Sequence, residues 1–132
     1  MSPEAEAYLE KARRCLSNAG ANLGIGLAND AGRNAYLAVF HAAQALILER
    51  TGKVAKSHRG VQTEFHRLAK DEPDLDKSFP VFLTQAYNLK AVADYETGPD
   101  SLLPPERAGA AIEMAGRFVE SLSKLLAKPD PA

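Results

Sequence analysis

Polar residues able to bind phosphate or move a proton interrupt an otherwise apolar stretch at residues 30–50, DAGRNAYLAVFHAAQALILER. A helix that is apolar nearly all round is typical of the centre of a bundle. At about 100° per residue, five of its polar side chains fall within one arc of roughly 100°, which Leu37 and Leu48 share. The five are Asp30, Arg33, Asn34, His41 and Gln44. This stripe is either a polar network that holds the helices together or the wall of a binding site.

A second group of candidates lies in residues 50–70, where basic residues and two histidines are opposed by one glutamate, Glu64. The basic residues are Arg50, Lys53, Lys56, Arg59, Arg67 and Lys70, and the histidines are His58 and His66. Positive charge at this density attracts phosphate groups. The alternative is a solvated surface, and the acidic segment DEPDLD that follows would reduce the field if it folded back.

The stretch YNLKAVADYE supplies the third group. Lys90 and Asp94 are four residues apart on a predicted helix, where they can pair, and Tyr87 lies on the same flank beside the apolar face. A flank of this kind borders the groove between neighbouring helices, so a binding site can form there. The alternative is a surface ion pair worth on the order of a few tenths of a kcal/mol.

Other site chemistries have little support in the sequence. The three histidines and the single cysteine stand at none of the close spacings that bind metal, such as HxxxH or CxxC. The sequence has no GxxxxGK[ST] loop, and no strand precedes the glycines near residue 24 as a dinucleotide fingerprint requires. We therefore expect neither a metal nor a cofactor.

Helical periodicity and capping residues predict five helices. They cover residues 3–23, 27–50, 58–70, 80–95 and 105–127. No segment alternates with the period of two that strands show. The sequence therefore predicts an all-α fold, a four-helix up-and-down bundle with a short extra helix. We expect one domain at residues 1–127 and a disordered tail at 128–132. The expected core face of the fourth helix is Phe82, Ala86, Leu89 and Ala93.

The composition predicts a cytoplasmic protein without membrane contact. The 132-residue chain has a net charge of −1 and one cysteine, which excludes an internal disulfide and is typical of a reducing compartment. Its first segment, MSPEAEAYLEKARR, is acidic and lacks the apolar centre of a signal peptide. No apolar run approaches the roughly 18 residues of a membrane span.

Three ordered segments resemble the HEPN superfamily of small helical proteins: RNAYLAVFHAAQALIL, KSHRGVQTEFHRL and LKAVADYE. The resemblance implies a helical bundle that is commonly dimeric and is in many cases encoded beside a minimal nucleotidyltransferase as a toxin–antitoxin pair. Other members of the superfamily are ribonucleases that cut RNA without metal, using an Arg-x4-6-His motif.

By that resemblance, three motifs map onto this chain. The first falls on Arg33, Tyr36, Phe40, His41 and Ala42, the second on Ser57, His58, Gly60 and Val61, and the third on Lys90, Ala93, Asp94 and Tyr95. Two positions depart from the pattern, because Leu37 replaces a tyrosine and Lys90 replaces an arginine. The one Arg-x6-His match, Arg59 to His66, is on the third helix, whereas the ribonuclease motif lies on a later one. That pair is either functional or a chance match.

Three functional hypotheses follow. The first is a nucleotide- or RNA-binding and protein-interaction module, dimeric and partnered by a nucleotidyltransferase-domain protein. The second is a metal-independent endoribonuclease toxin, with catalytic candidates His41, His58, Lys90 and Asp94. The third is a structural bundle without a ligand site, which is disfavoured because each buried unpaired polar group costs about 1–3 kcal/mol. The ligand-binding candidates are Arg33, Asn34, Tyr36, His41, Gln44, His58, Lys90, Asp94 and Tyr95.

Overall fold

The computed structural model describes residues 1–98 and 101–127 and contains five α-helices. They are α1 (Pro3–Gly24), α2 (Ala28–Thr51), α3 (His58–Ala69), α4 (Ser78–Tyr95) and α5 (Pro105–Ala127). No strand occurs in these two ranges, so the predicted all-α fold is confirmed, and every helix end lies within two residues of its expected place. The tail for which we expect disorder, residues 128–132, lies outside the described residues.

The turn between α2 and α3 is fixed at both ends. Gly52 follows α2 with a φ of +74°, a left-handed conformation that a residue without a Cβ adopts readily. Ser57 Oγ accepts a hydrogen bond from the Gly60 backbone N–H at 2.9 Å, which caps α3. Because of this cap, His58 is the first residue of α3.

The central helix is α2, which contacts each of the other four helices. Its many alanines allow these neighbours to approach closely. The buried residues are Ala31, Gly32, Ala35, Tyr36, Ala38, Val39, Phe40, His41, Ala42, Ala43, Gln44, Ala45, Leu46 and Ile47. At Gly32 a Cβ would lie 2.8 Å from Leu103 Cδ2, so the segment before α5 packs directly on the backbone of α2.

The short helix α3 is held in the core by aromatic packing. Phe65 of α3 stacks on Phe118 of α5 with ring centroids 5.2 Å apart, and Phe79 of α4 contacts the same ring at 5.1 Å. One hydrophobic cluster includes side chains of all five helices. The start of α3 is therefore anchored to the bundle, and so is the position of His58.

The helix α4 buries a face that only partly overlaps the expected one. Its buried side chains are Phe79, Leu83 and Ala86, whereas Phe82, Leu89 and Ala93 are half-buried. The predicted core face is confirmed at Ala86, and Phe82 and Leu89 pack against the core from half-buried positions, so the buried face is shifted toward Phe79 and Leu83. The reason is that α4 is apolar on nearly all sides, so periodicity alone does not select its inner face.

Candidate functional site

The polar residues of α2 are divided among three neighbouring segments. Asn34 Nδ2 donates a hydrogen bond to Asn22 Oδ1 of α1 at 2.8 Å. Gln44 Nε2 donates to the Ala55 carbonyl, between α2 and α3, also at 2.8 Å. Arg33 reaches α4. The stripe seen in the sequence is therefore not one continuous wall.

His41, Gln44 and the Ala55 carbonyl form a hydrogen-bonded chain that we call the buried relay. His41 Nδ1 lies 2.8 Å from Gln44 Oε1. Because Gln44 uses its amide N–H groups as donors to Ala55, its oxygen accepts, and His41 Nδ1 carries a proton. Burial lowers the pKa of His41, so the imidazole is neutral at pH 7. The relay ties α2 to the segment that leads into His58.

A second set of side chains meets where α2, α3 and α4 come together. Tyr36 Oη lies 2.6 Å from His58 Nδ1. Burial lowers the pKa of His58, and the positive charge of Lys90 lowers it further, so this imidazole is also neutral at pH 7. Burial raises the pKa of Tyr36, so its hydroxyl stays protonated.

The direction of the Tyr36–His58 hydrogen bond follows from the burial of Tyr36. Its hydroxyl is fully buried and keeps its proton, and leaving that O–H group without an acceptor would be costly. The Tyr36 hydroxyl therefore donates to His58 Nδ1. His58 therefore carries its own proton on Nε2, as a second donor.

Aromatic rings surround the His58 imidazole. The ring centroids of Phe40, Tyr87 and Tyr36 lie 4.9, 5.0 and 5.6 Å from that of His58. Tyr36 is fully buried, whereas Tyr87 is half-buried. This packing restricts the orientation of the imidazole and places aromatic surface next to it.

One carboxylate joins two cations beside these rings. Asp94 Oδ1 accepts a hydrogen bond from Arg33 Nε at 2.8 Å, and Asp94 Oδ2 accepts one from Lys90 Nζ at 2.6 Å. The bond to Asp94 raises the pKa of Lys90, and the bond to Lys90 lowers the pKa of Asp94, so both are charged at pH 7. Lys90 Nζ also lies 5.3 Å from the ring centroid of Tyr95.

Six of the nine residues that we predicted to bind a ligand meet on this flank of the bundle. They are Arg33, Tyr36, His58, Lys90, Asp94 and Tyr95. Together with Tyr87 we call them the flank cluster. The other three, Asn34, His41 and Gln44, form the separate bonds described above. Ligand binding by any of the nine stays a prediction.

The predicted site left out Tyr87, whose ring lies next to those of Tyr36 and His58. A signal for it was present. Tyr87 is three residues before Lys90, so it shares a helical face with a candidate residue. The sequence did not show that this face of α4 meets Tyr36 and His58.

Arg59 and His66, the Arg-x6-His match, are seven residues apart on α3, which separates them by about 10 Å along the helix axis. His66 Nε2 lies 3.0 Å from Thr84 Oγ1 of α4. The His66 side chain is thus oriented by α4, and a joint function of the pair stays a prediction.

The basic segment at residues 50–70 is partly neutralised. Arg50 pairs with Glu72 at 2.7 Å, and Arg67 pairs with Glu64 at 2.6 Å. The acidic segment after α3 therefore folds back onto the basic one, which weakens a continuous positive face.

Neither a metal-ligand cluster nor a membrane-spanning helix is found in the described part of the chain. Within residues 1–98 and 101–127, no three His, Cys, Asp or Glu side chains come together as metal ligands do. In the same two ranges, none of the helices combines the length and apolarity needed to cross a membrane.

Comparison with known proteins identifies the family. A model described as "HEPN domain" matches residues 5–125, so the chain belongs to the HEPN domain family and the resemblance read from its three motifs is confirmed. The Putative toxin MJ0605 of Methanocaldococcus jannaschii is 33% identical over 123 residues, covering 93% of this chain and 89% of that protein. The crystal structure of TT1696 from Thermus thermophilus has a similar fold, with a TM-score of 0.77 at 23% identity over 93% of this chain and 98% of that one.

Proposed function

We propose that this HEPN protein binds a nucleotide or RNA at the flank cluster and pairs with a nucleotidyltransferase-domain protein in a toxin–antitoxin-type system. One observation carries the proposal: Tyr36, His58 and Tyr87 converge on one flank from three different helices, and Lys90 is about one turn after Tyr87 on α4. A polar network used only for packing would be enclosed. Here the Arg33 side chain is 40% exposed and that of Lys90 is 14% exposed.

The chemistry of the flank cluster suits a phosphorylated base. Aromatic rings provide stacking surface, and cations provide phosphate contacts. The Nε2–H of His58 adds a neutral donor. His58 also begins α3, whose first turn contains no acidic residue. The positive end of this helix therefore reinforces anion binding at the same place.

The alternative function is that of a metal-independent ribonuclease, and one observation favours it: a neutral imidazole lies close enough to Lys90 for the positive charge to lower its pKa. General base catalysis would require His58 to pass its Nε2 proton on, because Nδ1 already accepts from Tyr36. The other candidates suit proton transfer less well, since Asp94 is ionised and His41 is 8% exposed. We therefore favour binding over cleavage.

Two lines of support suggest protein partners. A relative that bears the name of a toxin suggests a pairing with a second protein, for which we propose a nucleotidyltransferase. For a homodimer, the support is α4, which is apolar on most sides yet buries only three of its 18 residues. Val81 and Tyr95 on α4 are 51% and 74% exposed. Apolar surface of this kind is frequent at interfaces.

Binding is tested by fluorescence anisotropy of labelled single-stranded RNA with EDTA present. We expect Lys90→Met to weaken binding by about tenfold, because a charge-assisted contact to phosphate is lost. The matched control is Lys124→Met, which removes a lysine from another i,i+4 ion pair, with Glu120 on α5. Equal binding of RNA by the wild type, Lys90→Met and Lys124→Met would exclude Lys90 from the site.

Cleavage is tested with the same RNA on a denaturing gel. His58→Asn and His66→Asn form a matched pair, since both histidines are on α3 and both make a side-chain hydrogen bond. Intact RNA with all proteins supports the binding module. Cleavage that survives EDTA and is lost only in His58→Asn would establish the ribonuclease instead.

Partnership is tested by co-expression with the nucleotidyltransferase encoded nearest the gene, followed by copurification and light scattering. We expect a stable complex, and a dimer for the protein alone. Val81→Glu should disrupt the dimer, whereas Lys124→Met should not. A monomer at all concentrations would contradict the dimer.

A further inference from the structure

The Asp94 carboxylate has the geometry of a bound anion. Each of its oxygens accepts a hydrogen bond from a different cation, Arg33 Nε at 2.8 Å and Lys90 Nζ at 2.6 Å. The two cations come from different helices, α2 and α4. Two oxygens of a phosphate group can accept the same two bonds.

The position of Asp94 is otherwise unfavourable. It is the last residue but one of α4, where the carbonyl end of the helix dipole repels a negative charge. The side chains of the three charged residues are 40%, 14% and 23% exposed for Arg33, Lys90 and Asp94, so water and solutes reach the ion pairs. A carboxylate at such a place can leave its partners without becoming a buried unpaired charge.

We propose that Asp94 is an internal substitute for the ligand phosphate: it occupies Arg33 and Lys90 in the unliganded protein, and the phosphate displaces it. This inference rests on the proposed function, because it assumes that the ligand phosphate binds at the flank cluster. With Asp94 in place, the three side chains have a net charge of +1. Displacement lets a phosphate dianion balance both cations and returns the carboxylate to water. Asp94 therefore competes with the anion and lowers its affinity, and Asp94 does not itself contact the ligand.

The first test uses inorganic phosphate, titrated calorimetrically at constant ionic strength. Asp94→Asn keeps the shape of the side chain and removes the competing charge, so we expect phosphate to bind about tenfold more tightly. Glu120→Gln is the matched control, because it also removes a carboxylate from an i,i+4 pair with lysine, on exposed α5. It should change the affinity less than twofold. The proposal would be overturned if Asp94→Asn bound phosphate no more tightly than the wild type, or if neither the wild type nor Asp94→Asn bound phosphate.

Two further measurements guard against an effect of Asp94→Asn on folding. The double variant Asp94→Asn with Lys90→Met should lose the gain in affinity, since one of the two cations is gone. In the wild type at pH 7.5, the carboxyl ¹³C NMR shift of Asp94 should move toward that of a hydrated carboxylate when phosphate is added. If phosphate binds while this shift stays unchanged, Asp94 has kept its cations and the proposal fails.

RNA titrations separate this inference from the proposed function. If RNA binds to the wild type and more tightly to Asp94→Asn, both stand. RNA binding that weakens in Asp94→Asn supports the proposed function and overturns the substitute role. If phosphate binds more tightly to Asp94→Asn but no variant binds RNA, the substitute role is supported and the proposed function is overturned.

Discussion

The buried relay and the flank cluster both begin on α2, five residues apart at His41 and Tyr36, and yet they are built in opposite ways. In the buried relay the partners are uncharged, and the residues His41 and Gln44 are only 8% and 5% exposed. The flank cluster combines the fully buried Tyr36 with charged side chains that are 14–40% exposed.

The difference shows how access to water divides the roles of polar residues on one helix. A buried hydrogen bond is not exchanged without leaving a donor or acceptor unpaired, so it holds the fold. A partly exposed ion pair exchanges with water or a solute at low cost, so it can bind. By this criterion Gln44 and His41 stabilise the turn before α3, whereas Arg33 and Lys90 can exchange Asp94 for a ligand.

The largest effect on stability is expected in the buried relay. Gln44→Leu leaves His41 Nδ1–H and the Ala55 carbonyl without partners, and should lower the free energy of unfolding by about 2–3 kcal/mol. Urea denaturation measures this. Gln85→Leu, on the exposed side of α4, is the control and should change stability by no more than about 0.5 kcal/mol. An equally small change in the free energy of unfolding in Gln44→Leu would contradict the distinction between the buried relay and the flank cluster.

A smaller effect is expected at the boundary of the flank cluster. Tyr36→Phe removes the donor to His58 Nδ1 and should lower the free energy of unfolding by about 1 kcal/mol. The control is Tyr8→Phe, at a half-buried position of α1. The nitrogen NMR shifts of His58 should also change, because its proton no longer has to lie on Nε2. Unchanged shifts would contradict the assigned direction of the Tyr36–His58 bond.

A pH-dependent effect should follow from both histidines. Burial holds the pKa of His41 and His58 below the ordinary value of 6.5, so the unfolded chain binds more protons just below that pH. Stability should be full above pH 6.5 and fall as the pH decreases. The lowered pKa of Asp94 acts in the same direction, but only below 3.8. Chemical denaturation at several pH values should show that the free energy of unfolding falls less steeply with decreasing pH in His41→Asn than in the wild type. An equal slope in the two proteins would exclude His41 as a cause of the pH dependence.

The smallest effect on stability is expected from Lys90→Met. Asp94 keeps its bond to Arg33, so the free energy of unfolding should change by no more than about 0.5 kcal/mol, as for Lys124→Met. Thermal unfolding measures both. A loss above about 1 kcal/mol would mean that Lys90 belongs to the structural group of polar residues, together with Gln44.

The sequence predicted the helices well because their signals are local. Ser57 caps α3, Gly52 follows α2, and the apolar circumference of α2 identifies the central helix; each signal depends on neighbouring residues. The buried face of α4 was predicted only in part, because in a helix that is apolar on most sides the local sequence does not specify which side is covered.

The candidate site shows the same division. Residue types and spacing were enough to select Arg33, His58, Lys90 and Asp94 as candidates, and the resemblance to the HEPN superfamily added Tyr36. Local periodicity placed Asn34, His41 and Gln44 in the same stripe, but it does not specify which neighbour each side chain meets. Only the packing of α1, α3 and α4 around α2 separated them, because contacts between helices depend on residues far apart in the chain. For that reason the chain alone determined which groups are available for chemistry, and the tertiary structure decided which of them are reachable from water.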